Sequence, residues 1–230
     1  MSSSKFDIQA IERSLSDINS CFSKILLDTN YHKQENIFSW PNYLFGIFSS
    51  LSYVAEYQRL IDRKQYSFLL VDKSFFQFYF KFDDKGQVVA AKLSYFPAPV
   101  EISGAVDELQ DVAEQSGIDL IEEYYLGVVD WLDRGIDVVN TSHLRMDYDP
   151  SARTHSQCHV QFGGINELRI PSRDLVNPFL FFDWICTSIV KRDIEDIVVK
   201  KIYKESKRYS VNRIHLVEEF EKGTLRLVGE

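Results

Sequence analysis

The chain has 230 residues, 45% hydrophobic and 14% aromatic, with 17 Phe and 12 Tyr, which is ample material for a buried core. Its formal charge of −8 excludes a protein whose whole surface binds nucleic acid, because such binding rests on neutralising phosphates, but it leaves room for a local basic site. Cys21, Cys158 and Cys186 are odd in number, widely spaced and form no C-x-x-C, which points to buried free thiols in a reducing compartment.

The stretch Met1–Asp7 lacks the charged and apolar regions of a signal peptide. The longest apolar run, Val176 to Val190, is interrupted by Asn177, Pro178 and Asp183. A cytoplasmic protein with no membrane association is the expectation.

In chain order, Ile8, Ile11, Leu15, Ile18, Phe22, Ile25 and Leu26 recur at helical spacing and predict a helix over 6–28. Residues 29–37 are polar and turn-like. A second helix is expected from about Pro41, with Ser39 as its cap, to about Arg63. Three strands follow at Gln65–Val71, Phe75–Phe82 and Gln87–Phe96, the last two joined by Asp83-Asp-Lys-Gly86. Phe76, Phe78, Phe80 and Phe82 share one face, and Val89, Ala91, Leu93 and Tyr95 supply the matching face of the next strand. Such an aromatic stripe can stack bases, but without interleaved Arg or Lys it reads as core. Pro97 and Pro99 stop the strand.

Two helices are expected over 103–117 and 119–135. The stretch from Glu101 to Asp133 holds ten acidic residues and reads as a solvated face or one that meets a basic partner. Asn177-Pro178 reads as a helix cap followed by a first-turn proline, opening a helix to about Tyr203. A helical tail over 204–222 and a short strand at Leu225–Val228 complete the reading. The fold class is α+β, one domain over 1–230, with an antiparallel sheet, N-terminal helices over about 5–63 and long C-terminal helices packed on the sheet.

Three of the five histidines fall between His143 and His159, in a segment that reads as a β-hairpin. Side chains alternate across a strand, so His143, Arg145, Asp147 and Asp149 share one face of the first strand (141–149). His155, Gln157, His159 and Gln161 share one face of the second (156–162). Leu144, Tyr148, Val160 and Phe162 are expected inside, because burying Arg145 or Asp147 unpaired would cost several kcal/mol. A five-residue loop, 150–154, would oppose Asp149 to His155 and Arg145 to His159.

Three roles suit this polar row. In metal-free phosphodiester cleavage, His155 and His159 act as base and acid, Arg145 and Arg169 supply cations, and Asp147 or Asp149 orients an imidazole. A divalent-metal site is disfavoured because residues four apart on a strand stand roughly 13 Å apart. The third role is a binding surface without chemistry. No P-loop, G-x-S-x-G or G-x-G-x-x-G pattern occurs, and Cys158 falls on the apolar face. Neither a cofactor nor a metal is called for.

Arg145-Met-Asp-Tyr-Asp-Pro150, His155-Ser-Gln-Cys-His159, Leu168-Arg-Ile-Pro171 and Asn177-Pro178-Phe179 resemble the bacterial family catalogued as domain of unknown function 2290. The Phe76–Phe82 strand and Ala91-Lys-Leu-Ser-Tyr-Phe-Pro97 are similar to its central part. The resemblance carries no established activity. Arg145, Asp147, His155 and His159 also loosely resemble the R-x-D and clustered histidines of small toxins from toxin–antitoxin pairs. The resulting expectation is a component of a bacterial anti-phage defence or toxin–antitoxin system, a ribonuclease-type effector with Arg145, Asp147, His155 and His159 catalytic. His143, Asp149, Arg169 and Arg173 would bind substrate, with nucleic acid met only at this local site. The rival expectation is a non-enzymatic accessory or immunity protein that docks through its acidic helices onto an effector encoded nearby.

Overall fold

Asp7 caps the first helix, α1 (Ile8–Phe22), its carboxylate accepting from the Ala10 N–H at 2.8 Å. Ile11, Leu15, Ile18 and Phe22 form its buried stripe. The computed structural model describes residues 6–43, 52–102, 136–163, 168–190 and 194–216. The acidic helices expected over 103–135 and the strand at Leu225–Val228 lie outside the described residues, as does the 217–222 part of the tail.

The helical spacing over-extends α1. Ile25 N–H turns back to the Phe22 carbonyl at 2.9 Å, and the chain enters β1 (Leu26–Thr29). Pairing with the sheet overrides local propensity there. Residues 29–37, read as turn, include β2 (His32–Gln34) and the start of β3 (Ile37–Ser39), an antiparallel hairpin whose turn residue Glu35 has φ 51°. Ser39 is therefore a buried strand residue, not a helix cap. Asn42, at φ 58°, takes the chain into a left-handed turn that a helix from Pro41 cannot accommodate. The second helix, α2 (Tyr53–Asp62), starts instead at Ser52, whose Oγ accepts from Ala55 N–H at 3.4 Å. Among its described residues the stretch 5–63 thus holds three strands as well as two helices.

The remaining strands are β4 (Phe68–Leu70), β5 (Phe75–Phe82), β6 (Val88–Phe96), β7 (Val100–Ile102), β8 (Ile136–Val138), β9 (Leu144–Tyr148), β10 (Cys158–Phe162), β11 (Arg169–Pro171), β12 (Asp174–Leu175) and β13 (His215–Leu216). Among the described residues the main sheet runs β1-β4-β5-β6-β9-β10-β11, antiparallel throughout, with the β2–β3 hairpin joined to β5. β7 pairs with β8, and β12 with β13.

One face of this sheet is the core. Phe76, Phe78, Phe80 and Phe82 are buried; Phe76 and Phe78 meet Phe181 of α3 (Pro178–Ile185), Phe76 also meets Phe182 at 4.4 Å between ring centroids, and Phe80 meets Phe6 at 5.9 Å. α1 packs beside α3, with Phe22 and Phe182 at 4.8 Å. The aromatic stripe is core, as its spacing implies. On β6 a bulge near the turn pairs Phe82 with Val88, so Val88 is buried where alternation expects Val89. Asn177 caps α3 by accepting from Leu180 N–H at 3.1 Å, and its amide donates to the Ser210 carbonyl of α5 (Lys201–Val211) at 2.9 Å.

The C-terminal helix is not continuous to Tyr203. A π-helical turn, Cys186–Val190, follows α3. After the short α4 (Glu195–Val198), Lys200 is extended at ψ 144° and α5 begins anew. Asp183, wholly buried, pairs across this break with Lys207 Nζ at 2.9 Å and accepts from the Tyr203 hydroxyl at 2.5 Å. Burying an unpaired carboxylate would be costly, so these partners fix where α5 docks. All three cysteines are buried and free, and no helix among the described residues is long and apolar enough to cross a membrane.

Candidate functional site

The opposite face of the sheet carries the polar row, and it is not a plain solvent face. α2 covers one end, where Tyr53, Tyr57 and Leu60 pack on Phe75 and Phe96. The row begins beside that second core. Asp147 lies between Lys92 of β6 and His159 of β10, while Arg145 lies between Ser94 and Gln161. Tyr79 of β5 stands opposite Lys92.

The face assignment holds for the polar residues, but the register differs by two from that expected. Asp147, not Arg145, opposes His159, and Asp149 N–H donates to the Gln157 carbonyl at 2.8 Å. The loop is therefore 150–156. Asp149 stabilises its start, its carboxylate accepting from Ser151 N–H at 2.8 Å and Ser151 Oγ at 2.6 Å. These hydrogen bonds hold the Asp149 pKa below its usual range, with burial opposing them. Inside the sheet, Met146, Tyr148 and Cys158 are buried, Leu144 and Val160 half-buried, and Phe162 is 38% exposed at the strand end, contrary to its expected burial.

This longer loop changes the histidine geometry. His155 lies in the loop, not on the strand, and folds back so that its ring centroid is 4.9 Å from that of His159. The separation of roughly 13 Å expected along a strand does not apply. Both Nδ1 atoms meet the Ser156 carbonyl, His155 at 3.0 Å and His159 at 3.2 Å. A carbonyl only accepts, so both rings carry a proton on Nδ1, and any proton exchanged with a substrate passes through Nε2. His159 is 4% exposed, and burial pushes its pKa down. Asp147 and the Ser156 carbonyl oppose that shift, while His155 and Arg169 add to it. His159 is thus a neutral imidazole at neutral pH, its Nε2 3.9 Å from Asp147 Oδ2.

Arg145 anchors the carboxylate, with Nε and Nη2 each 2.9 Å from Asp147 Oδ2. Gln161, oriented with its amide oxygen toward the guanidinium, accepts from Arg145 Nε at 2.9 Å. Asp147 Oδ1 is buried and meets no hydrogen-bond donor among the described residues. These groups line a cavity of about 400 Å³, whose wall also includes Lys92, Asp149, Arg169, Tyr43 and Tyr79. Burial lowers the Lys92 pKa, partly offset by Asp147. Burial likewise raises Tyr43 to about 12.

All four residues expected to be catalytic, Arg145, Asp147, His155 and His159, line this cavity, together with Asp149 and Arg169. His143 and Arg173 are not among its lining residues. His143 instead packs on Phe96 at 4.8 Å, with Nδ1 3.6 Å from Glu56 Oε2 under α2. Arg173 follows β11, half-buried. Lys92, Tyr43 and Tyr79 were not picked out from the sequence. Their signal was alternation along β5 and β6, where Tyr79 and Lys92 occupy the face opposite the Phe stripe. Among the described residues no three His, Cys, Asp or Glu side chains are grouped as metal ligands.

Residues 23–225 match the family described as "Uncharacterized conserved protein (DUF2290)". The chain belongs to this DUF2290 family. The match takes in the whole hairpin, β5, β6 and α3, so every residue lining the cavity falls inside it. No curated protein and no solved structure matches the chain.

Proposed function

We propose that this DUF2290 protein is a ribonuclease-type effector of a bacterial anti-phage defence or toxin–antitoxin system, cleaving single-stranded RNA in the hairpin cavity without a metal. The observation that carries the reading is the pair of imidazoles held on one carbonyl beside the Arg145–Asp147 pair. His159 Nε2, buried and neutral, takes the proton of a ribose 2′-hydroxyl as its oxygen attacks phosphorus. His155, exposed at the rim and acting in its imidazolium form, gives its Nε2 proton to the departing 5′-oxygen, leaving a 2′,3′-cyclic phosphate. Arg169 and Lys92 face the phosphorane charge, and Asp147 stabilises the imidazolium that forms on His159.

The test is cleavage of a labelled single-stranded RNA by the purified protein in the presence of chelator. His155→Ala and His159→Ala should each lower the rate about 100-fold or more while circular dichroism stays unchanged. Folded variants that both cleave as wild type remove the catalytic assignment. If the wild type cleaves nothing, yet the protein and both variants bind and inhibit the product of a neighbouring gene, the accessory role through the acidic stretch Glu101–Asp133 takes its place.

A further inference from the structure

A second cavity, of about 570 Å³, adjoins the first, and Tyr43 and Tyr79 line both. The chemistry of the two differs. The first holds Lys92, Arg145 and Arg169 against Asp147 and Asp149. The second, among its described lining residues, has no Asp, Glu, Lys or Arg. It is walled by an aromatic ladder: Trp40 meets Tyr43 edge-on at 5.1 Å, and Tyr43 stacks on Tyr79 at 4.9 Å. Its polar side chains include Ser39, Asn42, Gln34 and His32.

The wall is held in place from behind. Buried Gln65 accepts from Trp40 Nε1 at 2.9 Å and donates to the Asn42 carbonyl at 3.1 Å, and Gln77 donates to the Gln65 carbonyl at 2.6 Å. Ser39 is 7% exposed, and its Oγ has no hydrogen-bond partner among the described residues. A buried hydroxyl left unsatisfied costs free energy, and a ligand in the cavity can supply the missing partner.

A cationic cavity sharing an aromatic wall with one that has no Asp, Glu, Lys or Arg among its described lining residues matches a ligand with an anionic end and a flat, neutral end rich in donors and acceptors. We infer that the second cavity binds a nucleobase whose own phosphate lies in the first, the base set against the Trp40–Tyr43–Tyr79 ladder and its edge read by Ser39 and Asn42. This rests on, and deepens, the reading of the first cavity as a phosphodiester site, because it makes the ligand a nucleotide rather than any phosphate.

Calorimetric titration of the full chain with a nucleoside 3′-monophosphate, ribose 5-phosphate and inorganic phosphate separates the alternatives. The nucleotide should bind about tenfold or more tightly than ribose 5-phosphate, a comparison that needs no variant. Ser39→Ala and Asn42→Gly, the latter tolerant of the left-handed backbone, should each weaken the nucleotide about threefold or more and leave ribose 5-phosphate unchanged. Equal binding of nucleotide and ribose 5-phosphate, absence of binding by all three, or equal weakening of every ligand in the variants overturns the inference. RNA cleavage that needs His155 and His159 without base discrimination sinks the base site alone. Base discrimination without cleavage sinks the nuclease reading and leaves the base site standing.

Discussion

His159→Gln removes one titrating group while keeping a side chain that can donate to the Ser156 carbonyl. In the folded protein burial holds the imidazole pKa below its ordinary 6.5, against the pull of Asp147 and of that carbonyl. In the unfolded chain it returns to about 6.5. As pH falls, the unfolded state therefore takes up the proton first. The stability tied to a neutral His159 is complete above about pH 7 and is lost as pH drops through 6.5 toward the folded value. For one proton the slope cannot exceed about 1.4 kcal/mol per pH unit. How closely the slope approaches that limit reports how far the folded pKa lies below 6.5. Urea unfolding of both proteins between about pH 5 and pH 8 measures it. The stability difference, wild type minus variant, should be flat above about pH 7 and fall below it. A difference that stays flat throughout would mean that Asp147 cancels burial, and one that rises on acidification would mean that Asp147 outweighs burial and His159 is charged when folded. His159 could not then serve as the base.

Three further outcomes bear on the frame around the site. Gly163→Ala would set a Cβ 2.7 Å from Cε1 and 2.8 Å from Nδ1 of His143, a ring already packed on Phe96, so unfolding assays should show a loss of about 1–3 kcal/mol that His143→Ala partly relieves. Lys207→Met leaves the wholly buried Asp183 charge without its cation; because the Lys207 side chain is itself 43% exposed, a loss of about 2–3 kcal/mol is expected by the same assay, below that of a fully buried pair. Arg145→Lys replaces a two-nitrogen grip on Asp147 with a point charge, so about 1 kcal/mol of stability and part of the RNA-cleaving rate should go, with Arg145→Met losing more of both.

The sheet was legible because its signals are local and repeat. Eight residues from Phe75 to Phe82 alternate, and the strand has those same bounds. Asn177-Pro178 opened a helix where cap chemistry requires it. The first part of the chain was less legible. Ile25 and Leu26 continue the helical spacing of α1 but are claimed by the sheet, and Ser39 stands two residues before Pro41 where a cap is expected but lies on a strand that pairs with β5. In both places the decisive partner is distant in sequence, Leu70 for Leu26 and Phe80 for Phe38, so no local pattern carries it.

In the hairpin, parity and register parted company. Parity followed from the apolar residues: Met146, Tyr148 and Cys158 must go inward, which sends Arg145, Asp147 and His159 to the other face. Register depends on where the loop closes, and every loop of odd length satisfies parity equally. Asp149 decides it, because its carboxylate accepts from Ser151 N–H and Oγ and its own N–H donates to the Gln157 carbonyl, closing the ladder after seven loop residues instead of five. Those two additional residues release His155 from the strand. On the strand it would project far from His159; in the loop it turns back onto the carbonyl that also holds His159. The same slip sets Asp147 rather than Arg145 opposite His159, so the carboxylate sits between guanidinium and imidazole. A site that looked too stretched for two histidines to act together is compact because one short Asx turn lengthened the loop. Asp149→Ala should therefore do more harm than its place at the rim implies, loosening the loop that brings the two imidazoles together.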